Sequence, residues 1–238
     1  MSAWKNRFTK EQIVAELRRL AKPEVKESMA TFGIDTASAL GVSVPELRKL
    51  SRRIGISHEL ALSMWATGIH EARLLATMID DPALVTGRQM EVWVRDINSW
   101  DVCDSLCGNL FDKTRSAYMK ADEWSRRDRE FVKRAGFAMM AVLAVHDKEA
   151  NDQQFINFLP LIEQNSDDER NFVKKGVSWA LRNIGKRNMA LNEKALRTAE
   201  KIGAKESPSA KWIASDAIRE LTSKAVLARL NPVREKEE

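Results

Sequence analysis

The sequence predicts an all-α protein. Apolar residues recur at helical spacing along nearly the whole chain, as Ile13, Leu17 and Leu20 do in KEQIVAELRRLAK. Turn-forming residues are sparse, with 10 Gly and 6 Pro in 238 residues, and Tyr, which favours strands, occurs once. Hydrophobic residues make up 44% of the chain and charged residues 31%, a balance typical of a globular protein rather than a disordered one.

Start and stop signals divide this pattern into helices joined by short polar links. Ser43, Ser57 and Ser99 are predicted N-caps, because a serine hydroxyl accepts hydrogen bonds from the first helical turn. Gly55 and Gly68 are predicted stops. The later helical segments are RDREFVKRAGFAMMAVLAVHD, DQQFINFLPLIEQN, DDERNFVKKGVSWALRNIGKRN, NEKALRTAEKIG and SPSAKWIASDAIRELTSKAV.

A weak internal repeat predicts how these helices are arranged. REFVKRAG (129–136) resembles RNFVKKGV (170–177) at an offset of 41 residues, and SAKWIASDAIREL from Ser209 aligns with FVKKGVSWALRNI from Phe172 at an offset of 37. A period of about 40 residues with two helices per unit is the signature of HEAT-like repeats. The sequence therefore predicts a HEAT-like right-handed superhelical solenoid with a concave surface.

Composition and segment lengths limit the domain organisation and location. No composition shift marks a boundary, so residues 1–230 are predicted to form a single domain and residues 231–238 a disordered tail. The longest uncharged apolar run, 135–145, is too short to span a bilayer, and the first twelve residues lack the apolar core of a signal peptide. We expect a cytoplasmic monomer that associates with the nucleoid of a bacterial-type cell when it binds DNA.

Charge points to an anionic partner. The net charge is +5, and residues 170–201 contain nine Lys or Arg but only two Glu. Clustering over several helices favours a phosphate-binding face, although solvated helix faces are the alternative. The two cysteines lie four residues apart and the three histidines are scattered, so no metal site is predicted.

The segment SWDVCDSL carries a second kind of signal. On one helix Trp100, Cys103, Asp104 and Cys107 lie at i, i+3, i+4 and i+7, so Asp104 is predicted to share a stripe with an indole and two thiols. A carboxylate in that setting is paired, exposed in a groove, or protonated. The alternative is a structural carboxylate beside a core tryptophan.

SWDVCD resembles the W-D-x-x-D motif of the AlkD-like DNA alkylation repair glycosylases, which are HEAT-like repeat proteins. TASALGVSVPELRKLSR resembles their G-[VI]-x-x-P-x-x-R segment, and HEARLLA resembles the following E-x-R-x-x-A helix. FVKRAGF and FVKKGVSWALRNIGK resemble the later repeats, which carry a basic residue and a tryptophan. Together these stretches cover most of residues 30 to 190 in the family's order.

The resemblance implies excision of cationic N3- or N7-alkylated purines from duplex DNA by hydrolysis of the N-glycosidic bond. It implies no metal or nucleotide cofactor and no tight base pocket. Carried over, Asp104 is the catalytic carboxylate, Trp100 and Trp179 pack on the deoxyribose, and Arg134 contacts the adjacent phosphate. Further DNA contacts are expected from basic residues of the same segments, with Arg182 ranked first, followed by Lys133, Lys174, Lys175, Lys186 and Arg187.

The residue types suit this chemistry. An alkylated purine is already cationic, so it leaves without a general acid, and the sugar develops oxocarbenium character. A fixed carboxylate stabilises that positive charge, and indole faces attract it.

The sequence departs from the family at the N-terminal aromatic residue, because KESMATFGI has Met29 at the expected place, with Phe32 nearby either as a substitute or as a core residue. Two other functions stay open. One is a catalytically silent binder of damaged or branched DNA, and the other is a HEAT-repeat scaffold that binds proteins.

Overall fold

A computed structural model of the chain describes residues 8–231, and every regular element in that range is helical. The all-α prediction is confirmed. The chain folds as two compact units, of which the first ends at Thr114 and the second begins at Arg115. The single domain over 1–230 stays a prediction, and the predicted tail lies outside the described residues except for Asn231.

The first unit contains seven described helices and a 3₁₀ turn at Phe111–Lys113. The helices are α1 (Lys10–Leu20), α2 (Pro23–Thr31), α3 (Val44–Ile54), α4 (His58–Trp65), α5 (His70–Ile79), α6 (Gly87–Arg95) and α7 (Trp100–Asn109).

Helices α5 and α7 run parallel, because His70 meets Asp101 near their starts and Thr77 meets Asn109 near their ends. A buried carboxylate joins α5 to the segment that precedes α3. Glu71 is fully buried and accepts the backbone N–H groups of Leu40, Gly41 and Val42. Helix α5 therefore fixes both the entry to α3 and the start of α7.

The second unit repeats one helix arrangement. Its described helices are α8 (Ala117–Ser125), α9 (Glu130–His146), α10 (Asp152–Ile156), α11 (Leu159–Gln164), α12 (Asn171–Gly185), α13 (Met189–Gly203), α14 (Pro208–Leu221) and α15 (Lys224–Leu230). The N-cap residues of α9, α12 and α14 are Arg129, Arg170 and Ser207. Their spacings equal the offsets of 41 and 37 residues in the sequence repeat, so the predicted repeat is confirmed.

Hydrogen bonds between the second and third repeats keep α12 and α14 parallel. Ser178 Oγ donates to Asp216 at 2.8 Å, and Arg182 donates to Glu220, and in each pair the partners are 38 positions apart in the sequence. Close packing on the other side requires a small residue. A Cβ at Gly136 would lie 2.3 Å from the backbone nitrogen of Ser125, so only glycine lets α8 approach α9 this closely.

Helix boundaries agree with the prediction better than the capping chemistry does. Helices begin after Ser43, Ser57 and Ser99, but none of these hydroxyls caps its helix. The Ser99 hydroxyl donates to Asp101 instead. The predicted stops are confirmed by the positive φ angles of Gly55 and Gly68.

Two exclusions hold for the residues that the structure describes. No helix among them is long and apolar enough to cross a membrane. No three His, Cys, Asp or Glu side chains among them are grouped as metal ligands would be. The cytoplasmic location stays a prediction.

Candidate functional site

Helix α7 presents Trp100 and Asp104 one turn apart on its partly open side, where both side chains are half-buried. Cys103 and Cys107 are fully buried on the adjoining side. Burial, together with the hydrogen bond to Cys103, raises the pKa of the Cys107 thiol. The four side chains follow the predicted spacing along α7, with both thiols buried and the indole and the carboxylate residue half-buried.

Trp100 is held by a segment distant in sequence. Its indole Nε1 donates to the backbone oxygen of Phe32 at 3.0 Å. The Phe32 side chain is 68% exposed, so it is not a core residue, whereas Met29 is half-buried. An exposed aromatic residue therefore follows α2 directly at the point that anchors Trp100. The sequence left this placement open because it could not show how α2 meets α7.

Asp101 anchors the first turn of α7. Its carboxylate lies 2.8 Å from His70 Nε2 and also accepts the Ser99 hydroxyl. Burial alone would raise the pKa of Asp101, but the hydrogen bonds from His70 and Ser99 outweigh it and lower the pKa. Sequence reasoning missed this role, although Asp101 is the first aspartate of the W-D-x-x-D match and His70 begins HEARLLA.

Helix α12 of the second unit carries a stripe of candidate residues. Lys175, Trp179, Arg182 and Lys186 follow one another at i, i+4, i+7 and i+11, which places them along one side of the helix. Trp179 is half-buried, so it is not an ordinary core tryptophan. Within the described residues its indole N–H makes no hydrogen bond.

Two cations of this stripe are already compensated. Arg182 lies 3.2 Å from Asp216 and is also paired with Glu220, and Lys186 Nζ lies 2.6 Å from Glu220. Burial would raise the pKa of Glu220, but the hydrogen bonds from Lys186 and Arg182 lower it. Glu220 therefore stays ionised and reduces the charge that these two side chains offer a phosphate.

Arg134 is 5% exposed and donates to the backbone oxygen of Phe172 at 2.7 Å. The buried side chain links α9 to the first turn of α12. Its phosphate contact stays a prediction.

Arg187 anchors the loop after α9. It donates to the backbone oxygens of Ala144, Asp147 and Ala150 at 2.8 to 3.2 Å, and its guanidinium carbon lies 4.1 Å from the centroid of the Phe155 ring. These contacts use the side chain for structure, so its predicted DNA contact has no support from the geometry.

The remaining candidate lysines differ in their partners. Lys133 lies 3.4 Å from Asp168, and the Lys174 ammonium lies over the Trp212 ring. Lys175 is exposed, and no carboxylate in the described part of the chain lies within ion-pair distance of it. Lys175 is therefore the candidate cation most available to an external phosphate.

Comparisons with known proteins identify the family and the fold of the chain. Residues 13–221 match the model of a family described as DNA alkylation repair enzyme. A solved structure from "a new family of proteins related to the HEAT-like repeat DNA glycosylases with affinity for branched DNA structures" superimposes with a TM-score of 0.76 at 19% identity, covering 89% of this chain and 95% of that one. That likeness confirms the HEAT-like fold. A search of curated proteins found no significant match.

Proposed function

The chain belongs to the DNA alkylation repair enzyme family, and from that premise we propose that it is a DNA glycosylase that initiates base excision repair. Its substrate is duplex DNA that carries cationic N3- or N7-alkylated purines, and it hydrolyses the N-glycosidic bond without a metal or nucleotide cofactor. The observation that carries the proposal is the position of Asp104, a half-buried aspartate one helical turn from the Trp100 indole.

Asp104 supplies the electrostatic part of the reaction. As the alkylated purine departs with the bonding electron pair, positive charge develops on the sugar. A carboxylate held on a helix stabilises that charge and accepts a hydrogen bond from the attacking water. The purine leaves as a neutral base, so one carboxylate is enough and no acid partner is needed.

Aromatic faces supply the second part. Trp100 is fixed through its indole N–H, so its orientation does not have to be ordered when DNA binds. An indole face attracts both a developing cation and polarised C–H groups of the sugar. We assign the second indole to Trp179 from the family resemblance, and its half-buried position on α12 is compatible with that role.

The test is single-turnover release of 7-methylguanine from duplex DNA by the wild type and by Asp104→Asn. The substitution keeps the shape of the side chain and removes its charge. We expect the rate to fall by about two to three orders of magnitude, the typical cost of losing one electrostatic stabiliser. Glu59→Gln is the matched control, because Glu59 is an exposed carboxylate of the same unit; its rate should equal that of the wild type.

A catalytically silent binder is the second candidate. It is favoured by the solved relative, whose described property is affinity for branched DNA. Under that alternative neither the wild type nor Asp104→Asn releases 7-methylguanine, while both bind DNA tightly in a salt-sensitive manner. Absence of salt-sensitive DNA binding would instead favour the protein scaffold.

A further inference from the structure

Trp212 is an exposed tryptophan in the third repeat of the second unit. It lies in the second turn of α14, and 41% of it is accessible to solvent. Trp124 of the same unit is, by contrast, fully buried. The exposed part of this Trp212 indole gains no free energy of burial in the isolated chain and is accessible to a partner.

The ring is held by the neighbouring repeat. Lys174 Nζ on α12 lies 5.3 Å from the centroid of the Trp212 ring. This cation covers one face of the indole and restricts the ring, which leaves surface of the indole open to a second planar group. The pair therefore has the geometry of a prepared stacking surface.

Positive charge at this surface is not cancelled. Neither Lys174 nor Lys175 has a carboxylate within ion-pair distance among the residues that the structure describes. The acidic side chains of this end of the unit are engaged elsewhere. Asp168 pairs with Arg170, Asp167 with Lys205 and Glu206 with Lys211, and Glu169 accepts hydrogen bonds from Ser207 and Ser209.

The second and third repeats carry different side chains at the positions of this surface. With the offset of 37 residues, Lys211 and Trp212 occupy the positions that Lys174 and Lys175 hold in the second repeat. The second repeat thus presents two lysines where the third presents a lysine and an indole. Neutralising phosphates does not require an indole in place of a lysine. Proteins that bind unpaired bases, by contrast, usually combine aromatic stacking with nearby lysines.

We propose that Trp212 is a stacking platform for an unpaired nucleobase of DNA, and that Lys174 and Lys175 neutralise the phosphates next to that base. The proposal takes from the proposed function only that DNA is the partner. It adds a second class of DNA ligand, namely DNA with single-stranded or branched segments. Excision of a base from a duplex does not require binding of such DNA.

The test compares the affinity of the full chain for a labelled, undamaged single strand and for the matching duplex, by fluorescence anisotropy. Trp212→Leu keeps apolar bulk but removes the π face, and Trp212→Phe keeps a ring. We expect Trp212→Leu to weaken single-strand binding by roughly tenfold, within the range found for one stacked base, and to change duplex binding much less. Trp212→Phe should retain most of the single-strand affinity.

Met189→Ala is the control, because Met189 is 37% exposed and begins α13, beyond the far end of α12 from Lys174. Three outcomes would overturn the stacking platform. Trp212→Leu could lose equal affinity for single strand and duplex, or lose no affinity for the single strand. Trp212→Leu and Trp212→Phe could also bind the single strand equally well. The probes carry no alkylated base, so a chain that releases no purine can still pass this test. A failed platform equally leaves the glycosylase proposal standing.

Discussion

The carboxylate of Glu71 accepts the backbone N–H of Gly41 at 2.7 Å, across thirty residues of sequence. The same carboxylate accepts the N–H groups of Leu40 and Val42. Two family-like stretches, TASALGVSVPELRKLSR and HEARLLA, therefore form one structural element, in which the acid of the second organises the turn of the first. Gly41 has φ +89°, and a Cβ there would lie 2.3 Å from the backbone oxygen of Lys22.

Replacement of Glu71 by Ala should destabilise the first unit. Three buried N–H groups lose their acceptor, and we expect the free energy of unfolding to fall by about 3 kcal/mol. Urea unfolding followed by circular dichroism measures it. Glu59→Ala removes an exposed carboxylate from the same unit and should change stability by less than about 0.5 kcal/mol. Similar midpoints for the two variants would contradict the role of Glu71.

Asp101→Asn should reduce stability in a pH-dependent way. The pKa of Asp101 is lowered in the folded chain, because hydrogen bonds from His70 and Ser99 outweigh burial. A lowered folded pKa stabilises the fold above the unfolded value of about 3.9, and this contribution is lost as pH falls through the folded value. The urea midpoint of the wild type should exceed that of the variant at pH 7, and the difference should shrink below about pH 4. A gap that is constant with pH would rule out the charge as its cause.

Several features of the fold could be predicted because they depend on local periodicity. The offsets of 41 and 37 residues in the sequence are the spacings of the helix starts at Arg129, Arg170 and Ser207. Helix α2 was not predicted because none of its residues is buried, so it has no apolar stripe to detect. Helix α8 was missed because its buried face consists mainly of small residues and includes Lys120.

The sequence could predict which residues form the candidate site, but not the long-range contacts that hold them. The position of Asp104 beside Trp100 follows from helical spacing, but the contact from Phe32 to Trp100 joins residues 68 apart in the sequence. Ion pairs between repeats are equally long-range. Nothing near Arg182 in the sequence shows that Glu220 neutralises it, so the highest-ranked phosphate contact is the one most compensated by acids.

Phe32→Ala should impair excision without affecting the fold. Its side chain is 68% exposed, so little packing is lost, while the substitution removes an exposed ring from the residue whose backbone oxygen anchors the Trp100 indole N–H. We expect single-turnover release of 7-methylguanine to slow by roughly threefold to tenfold, the worth of one aromatic contact. Ile56→Ala is the control, because Ile56 is 65% exposed in the same unit. Equal rates for the two variants would exclude Phe32 from the site.

Arg187→Leu should act on stability and not on DNA. The guanidinium holds the backbone oxygen of Ala144 in the last turn of α9 and those of Asp147 and Ala150 in the loop that follows. Leucine keeps apolar contact with Phe155 but leaves these acceptors unsatisfied, so we expect a loss of about 2 kcal/mol in the free energy of unfolding. DNA affinity, measured below the unfolding transition, should stay within about twofold of the wild type. A larger loss of affinity in the folded variant would restore Arg187 as a DNA contact.

A basic side chain without a carboxylate partner should contribute more to DNA binding than one that is paired with acids. Lys175→Ala removes an exposed lysine without a carboxylate partner in the described chain, so it should weaken duplex binding and reduce the slope of log affinity against log salt by about 0.9. Arg182→Ala should cost less, because Asp216 and Glu220 already compensate that charge.

Glu220→Gln provides the opposite change. It releases Arg182 and Lys186 from their shared carboxylate, so duplex affinity should rise and the salt dependence should become steeper. Fluorescence anisotropy over a salt series measures both quantities for the same labelled duplex. If Glu220→Gln weakened binding while the fold stayed intact, Glu220 would be holding these cations in place for phosphate rather than withholding them, and Arg182→Ala would then be expected to lose as much affinity as Lys175→Ala.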